Sequence, residues 1–121
     1  MIPPALPRYA RPLYFVLVAI ILVIAIVPQA QAPLGTPSDK VNHIIAFFTL
    51  AFLAKLLWPE KRIWVKALWL AAFGALIEVL QGVMAVGRNA DWLDFVADVV
   101  AALAGLFAAR AVLAFRRHAR G

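Results

Sequence analysis

Four apolar stretches divide the chain, each ended by a short polar or Pro/Gly-containing segment. They cover residues 13–27, 41–58, 63–86 and 92–115. The last three are 18, 24 and 24 residues long, close to the ~20 residues with which an α-helix crosses a hydrocarbon core. They are too long, too rich in Ala and Leu and too poor in alternation to be barrel strands. Backbone groups in lipid must bond within their own segment, which leaves helices. The predicted helices are about 13–32, 41–58, 63–86 and 92–115. The links at 59–62 and 87–91 are short, so successive helices run antiparallel. The expected fold is an all-α integral membrane protein, an up-down bundle of four transmembrane helices forming one domain over 1–121.

The first stretch has a second reading. Arg8 and Arg11 precede its apolar run, and Ala30-Gln31-Ala32 has the small-x-small form of a signal-peptidase site. Tyr9 and Tyr14 at the inner boundary favour a retained anchor, as interfacial aromatics do. Either way the other helices keep one orientation.

Composition narrows the class further. Hydrophobic residues make up 65% of the 121 positions and charged residues 15%, against roughly 45–50% and ~25% in soluble domains. A chain this short cannot hide so much apolar surface from water, so lipid is part of its solvent. Cysteine is absent, which removes thiolate catalysis and thiolate metal ligation. The net charge of +6 is a matter of topology, and nucleic acid is not an expected partner. One set of helix ends holds Arg8, Arg11, Lys55, Lys61, Arg62, Lys66, Arg110, Arg116, Arg117 and Arg120, the other only Lys40 and Arg88. By the positive-inside rule both termini and the 59–62 turn face the cytoplasm. Lys55 and Lys66 lie close enough to that boundary to snorkel. The expected location is the bacterial cytoplasmic (inner) membrane.

The carboxylates sort the other way. Asp39, Glu78, Asp91, Asp94 and Asp98 belong to the outer half together with His43, Asn42, Lys40, Arg88 and Gln81, and Glu60 alone lies inside. An ionisable group near the centre of a membrane helix costs about 2.5–3.5 kcal/mol on insertion scales. Such groups persist where they pair or face a cavity. Ala71, Gly74, Glu78, Gln81 and Ala85 share one face of the third helix, and Asp91, Asp94, Asp98, Ala101 or Ala102, and Gly105 one face of the fourth. Asp39 and His43 form an i,i+4 pair on the second. The pattern predicts a polar pocket that opens outward. Structural roles stand beside it: Thr36, Pro37 and Asp39 suit a helix start, as Asp91 and Asp94 do. Glu78 and Asp98 are too deep to cap, and their structural alternative is a buried pair holding the bundle together.

Asp39-Lys40-Val41-Asn42-His43 resembles the D-K-x-x-H element of VanZ-like membrane proteins, and Glu78-Val79-Leu80-Gln81 their E-x-x-Q. The segment from Gly87-Arg88 through Asp91 and Asp94 to Asp98 is similar to a third family element, with Gly105 matching a later glycine. The likeness covers roughly residues 36–110. Ala101 stands where the family often has Gly, and Asp98 where it often has Asn. The resemblance implies a bacterial cell-envelope membrane protein, from a family whose founding member is associated with resistance to the glycopeptide teicoplanin. It brings no established reaction.

No Walker loop, H-E-x-x-H or serine machinery is present, so whether the chain is an enzyme stays open. In the catalytic reading His43 is the acid/base or nucleophile, with Asp39 or Asp94 orienting it. Glu78 and Asp98, close together, share a proton. Asp39, Lys40, Gln81 and Arg88 bind the ligand, with Lys40 and Arg88 holding an anionic headgroup. A divalent cation on His43, Glu78, Asp94 and Asp98 is a variant. The expected partners are membrane lipids, a lipid-linked envelope precursor or a glycopeptide, with oligomerisation open. The alternatives are a non-catalytic binding or docking subunit and, less favoured, a small transporter subunit.

Overall fold

A computed structural model describes residues 7–26, 39–84 and 92–120. After a 3-10 turn at Arg8–Ala10 come four helices: α1 (Arg11–Ile26), α2 (Asp39–Leu57), α3 (Ile63–Met84) and α4 (Trp92–Arg120). The chain is all-helical, as expected. The predicted continuation of the first helix to residue 32 lies outside the described residues, as do the 33–38 and 85–91 segments and the Ala30-Gln31-Ala32 site. α4 runs on past the expected end at 115. The sequence there holds no proline or glycine before Gly121 to break it.

Side-chain bonds give the relative directions. Arg11 and Tyr14 of α1 bond the backbone at Leu57 and Leu50, so α1 and α2 are antiparallel. Phe15 meets Trp69, and Gln81 reaches back to Ala25, so α1 and α3 are parallel. His43 meets Asp98, and Gly105 abuts Phe48 and Ala51, so α2 and α4 are also parallel. This is the up-down arrangement. The most extensive contact is nevertheless between the non-sequential α2 and α4. Small residues bring it about: Gly105 lies against Ala51, and Ala51, Ala54, Ala101 and Ala102 are all buried in one core. A Cβ at Gly105 would lie 2.5 Å from the Phe48 carbonyl oxygen. Such close approach is the small-residue packing that membrane helices use.

Among the described residues two helices are long and apolar enough to cross a membrane, through Ile63–Val83 and Leu93–Arg116, while the apolar helices Arg11–Ile26 and Val41–Leu57 are shorter. The surface is apolar on all four. Leu13 and Val16 on α1, Val79 and Val83 on α3, and Val100 and Phe107 on α4 are exposed, whereas His43, Gln81, Asp94 and Asp98 are buried. A water-soluble helix has the opposite arrangement.

The basic end is tied together by cations on helix-end carbonyls. Pro59 stops α2, because the residue before proline disfavours the helical region. The carbonyls released there need donors. Arg11 Nε donates to Leu57 O at 2.9 Å, and Lys66 Nζ donates to Trp58 O and Lys61 O, each at 2.9 Å. Arg11 also pairs with Glu60 at 2.9 Å and lies over the Trp58 ring. The lone inner carboxylate is thus paired with a cation. Two expectations change here. Lys66 does not snorkel outward, because these buried carbonyls hold it at 4% exposure. Tyr14 is not an interfacial anchor. It is 3% exposed and its hydroxyl donates to Leu50 O at 3.0 Å, leaving Tyr9 as the exposed one of the two tyrosines.

Candidate functional site

At the opposite end three helices each turn a polar group inward. α2 supplies His43, one turn beyond Asp39. α3 supplies Glu78 and, one turn on, Gln81. α4 supplies Asp94 in its first turn and Asp98 one turn deeper. His43, Glu78 and Asp94 each present a potential ligand atom, all lying within 4.8 Å of one another. His43 Nδ1 and Asp98 Oδ1 are 2.7 Å apart, with the aspartate wholly buried. An ionised carboxylate only accepts, so with Asp98 charged it is Nδ1 that carries the proton and donates. Asp94 at an N-terminal turn is also favoured by the helix dipole.

The packing beneath the cluster explains its position. The Phe47 ring stacks below His43 with 8° between the planes, and Phe73 stacks on Phe47 at 5.6 Å. These rings make an apolar floor between the polar groups and the core around Leu50 and Leu70. Gly74 makes room for Asp98. A Cβ there would be 3.0 Å from Asp98 Oδ2 and 3.5 Å from Phe47 Cε2. A separate, mostly apolar concavity of about 220 Å³ lies at the basic end, lined in part by Tyr14, Trp58 and Trp69, far from the cluster.

The four residues expected to carry the chemistry, His43, Glu78, Asp94 and Asp98, therefore come from three helices into one neighbourhood. Asp98 on α4 bonds His43, a partner the spacing did not single out. Because α2 and α4 run parallel, residues one turn into α2 and nearly two turns into α4 reach a common level. His43 is accordingly at the level of Asp98. Among the ligand-binding candidates, Gln81 is fully buried and its Nε2 donates to Ala25 O at 2.8 Å, satisfying a carbonyl in the last turn of α1. Its Oε1 is buried without a hydrogen-bond partner among the described residues. The side chains of Asp39 and Lys40, and Arg88 and Asp91 altogether, lie outside the described residues.

An apolar-surfaced bundle that gathers its histidine and acidic groups inside one end is the build of a membrane protein with a buried polar site. The comparisons with known proteins narrow that class. The VanZ/LLP1 family profile matches residues 11–114, and the chain belongs to that family. The match takes in α1 as well as the 36–110 region that carries the motifs. No curated protein and no solved structure matches the chain.

Proposed function

We propose that this VanZ-like envelope protein spans the bacterial cytoplasmic membrane with four helices and keeps both termini inside. Its polar chamber opens outward and binds or modifies an anionic envelope lipid, a lipid-linked cell-wall precursor or a glycopeptide. The observation that carries this reading is the meeting of His43, Glu78, Asp94 and Asp98 from three helices at the end opposite the basic residues. Burying such groups is costly in lipid, and they persist there where they serve a site. The short helices fit a bilayer that thins locally. Lys40 and Arg88 belong to the segments bordering this end and supply the positive charge for a phosphate or carboxylate headgroup.

The aromatic floor of Phe47 and Phe73 favours a chamber closed from below over a transport path. The test is lipid and cell-wall precursor profiling of cells lacking the gene, complemented by wild type, His43→Ala or Arg88→Ala. A catalyst loses its product with His43→Ala while the purified variant still binds the lipid. A binding module tolerates His43→Gln and fails with Arg88→Ala. An unaltered profile on deletion, together with no envelope lipid enriched on the purified protein, would overturn the proposal.

A further inference from the structure

We infer that His43, Glu78 and Asp94 are the ligands of a first-row divalent cation, Zn²⁺ or Mn²⁺, and that Asp98 is the positioning residue that orients His43 toward it. The inference deepens the reading of the chamber as a binding site by naming an occupant. It begins with the donor set. One imidazole and two carboxylates from α2, α3 and α4 place their ligand atoms within 4.8 Å of one another. Ligands at ~2.1 Å around a tetrahedral ion lie about 3.4 Å apart, so a movement of roughly 0.8 Å by each ligand atom closes the set. An imidazole among carboxylates selects Zn²⁺ or Mn²⁺ over the all-oxygen preferences of Mg²⁺ and Ca²⁺.

The second observation is independent of those distances. Asp98, wholly buried, accepts a 2.7 Å bond from Nδ1 of His43, and so places the ring lone pair on Nε2. A carboxylate behind a histidine is the recurrent second partner of metal-bound imidazole, fixing tautomer and ring direction and raising basicity. Gly74 is the sequence feature that admits it, since a Cβ there would press on Asp98 Oδ2 at 3.0 Å. Three negative side chains around one imidazole also make a local charge that a divalent cation offsets. Three protein ligands leave coordination positions open for the oxygens of a phosphate or carboxylate. The cation and the headgroup would then share one chamber.

The test uses the full chain purified in detergent, stripped with EDTA and passed through gel filtration. It is titrated calorimetrically with Zn²⁺ and Mn²⁺, with Mg²⁺ as comparison, and bound metal is counted by elemental mass spectrometry. We expect one ion per chain and a rise in melting temperature that EDTA reverses. Glu78→Gln and Asp94→Asn, which nearly conserve volume, should each weaken binding at least ~10-fold, and Asp98→Asn about 10–100-fold. His118→Ala, at the other histidine, should leave binding unchanged. Helical circular dichroism identifies a variant that fails to fold, and the two carboxylate variants serve as checks on each other. No bound ion, or binding indifferent to both carboxylate substitutions, overturns the inference. Should the stripped protein still enrich an envelope lipid, the cation alone is disproved and the functional reading stands.

Discussion

Asp98 on α4 and His43 on α2 are 55 positions apart in sequence, yet they share a 2.7 Å hydrogen bond. The aspartate is wholly buried and the histidine 6% exposed. Two parallel helices that make the largest contact in the bundle are thereby tied near one end by a polar pair. At the middle of the same contact, Gly105 rests on the backbone of Phe48. With Asp98 ionised the bond fixes the Nδ1–H tautomer and leaves the ring lone pair on Nε2, while Glu78 and Asp94 bring oxygens to the same cluster.

Removing the acceptor should therefore be costly, while exchanging it for a neutral one should not. Asp98→Asn retains an oxygen at the Oδ1 position and is expected to lower stability by about 1 kcal/mol. Asp98→Leu leaves a buried imidazole N–H with no acceptor and is expected to lower it by ~3 kcal/mol or more. Thermal unfolding in detergent, followed by circular dichroism, measures both. Equal melting temperatures for wild type and Asp98→Leu would show that the bond carries no structural weight.

The two close-packed glycines should separate fold from site. A Cβ at Gly105 meets the Phe48 carbonyl oxygen at 2.5 Å and Ala51 Cβ at 2.9 Å, both attached to backbone that cannot turn aside. Gly105→Ala is expected to push α2 from α4 and lower stability by about 1–3 kcal/mol. At Gly74 the nearest atom is a side-chain oxygen of Asp98, at 3.0 Å. Gly74→Ala should therefore leave melting within ~1 kcal/mol of wild type and displace the His43–Asp98 pair instead. A changed His43 imidazole resonance in ¹⁵N spectra, with little change in melting, is the expected signature.

Much of this was legible in the chain. Long apolar runs gave the helices, because lipid leaves the backbone no other arrangement. Ionisable residues at helical spacing gave His43, Glu78, Asp94 and Asp98, because such groups are too expensive to scatter over a lipid-facing surface. The pairing inside the site was harder. Which carboxylate meets His43 depends on the stagger of α2 against α4, set by the contact of Gly105 with Phe48 and Ala51. No local pattern encodes a stagger between helices 55 residues apart. The burial of Lys66 and Tyr14 was hidden for a related reason. Both follow carbonyls that another helix presents, at Trp58, Lys61 and Leu50, and hydropathy weighs each residue without its neighbours.

Lys66 gives a third prediction. Its ammonium holds two carbonyls beyond the end of α2 and is nearly sealed from solvent. Lys66→Met conserves the length of the stem and the packing but removes both donors. The released Trp58 and Lys61 carbonyls should lower stability by about 1–3 kcal/mol, whereas Lys55→Met, on a partly buried residue, should change it by less than ~0.5 kcal/mol. Protease susceptibility of the 58–62 turn provides a local readout. If Lys66→Met melts with wild type and its turn resists cleavage equally, the cap is dispensable.

Orientation is the prediction on which the outward chamber depends. α1, α2, α3 and α4 alternate in direction, so Arg11, Lys61, Lys66 and Arg116 share one end and His43 and Asp94 the other. Cytoplasmic loops retain Lys and Arg and exported ones do not, so the basic end is expected in the cytoplasm. The chain has no cysteine, so a single introduced thiol reports its own side without a background to remove. Arg88→Cys should react with a membrane-impermeant maleimide in intact spheroplasts. Lys61→Cys and His118→Cys should react only after permeabilisation. Labelling of residue 61 in intact cells with protection of residue 88 would turn the chamber toward the cytoplasm and take the exported lipids and glycopeptides out of its reach.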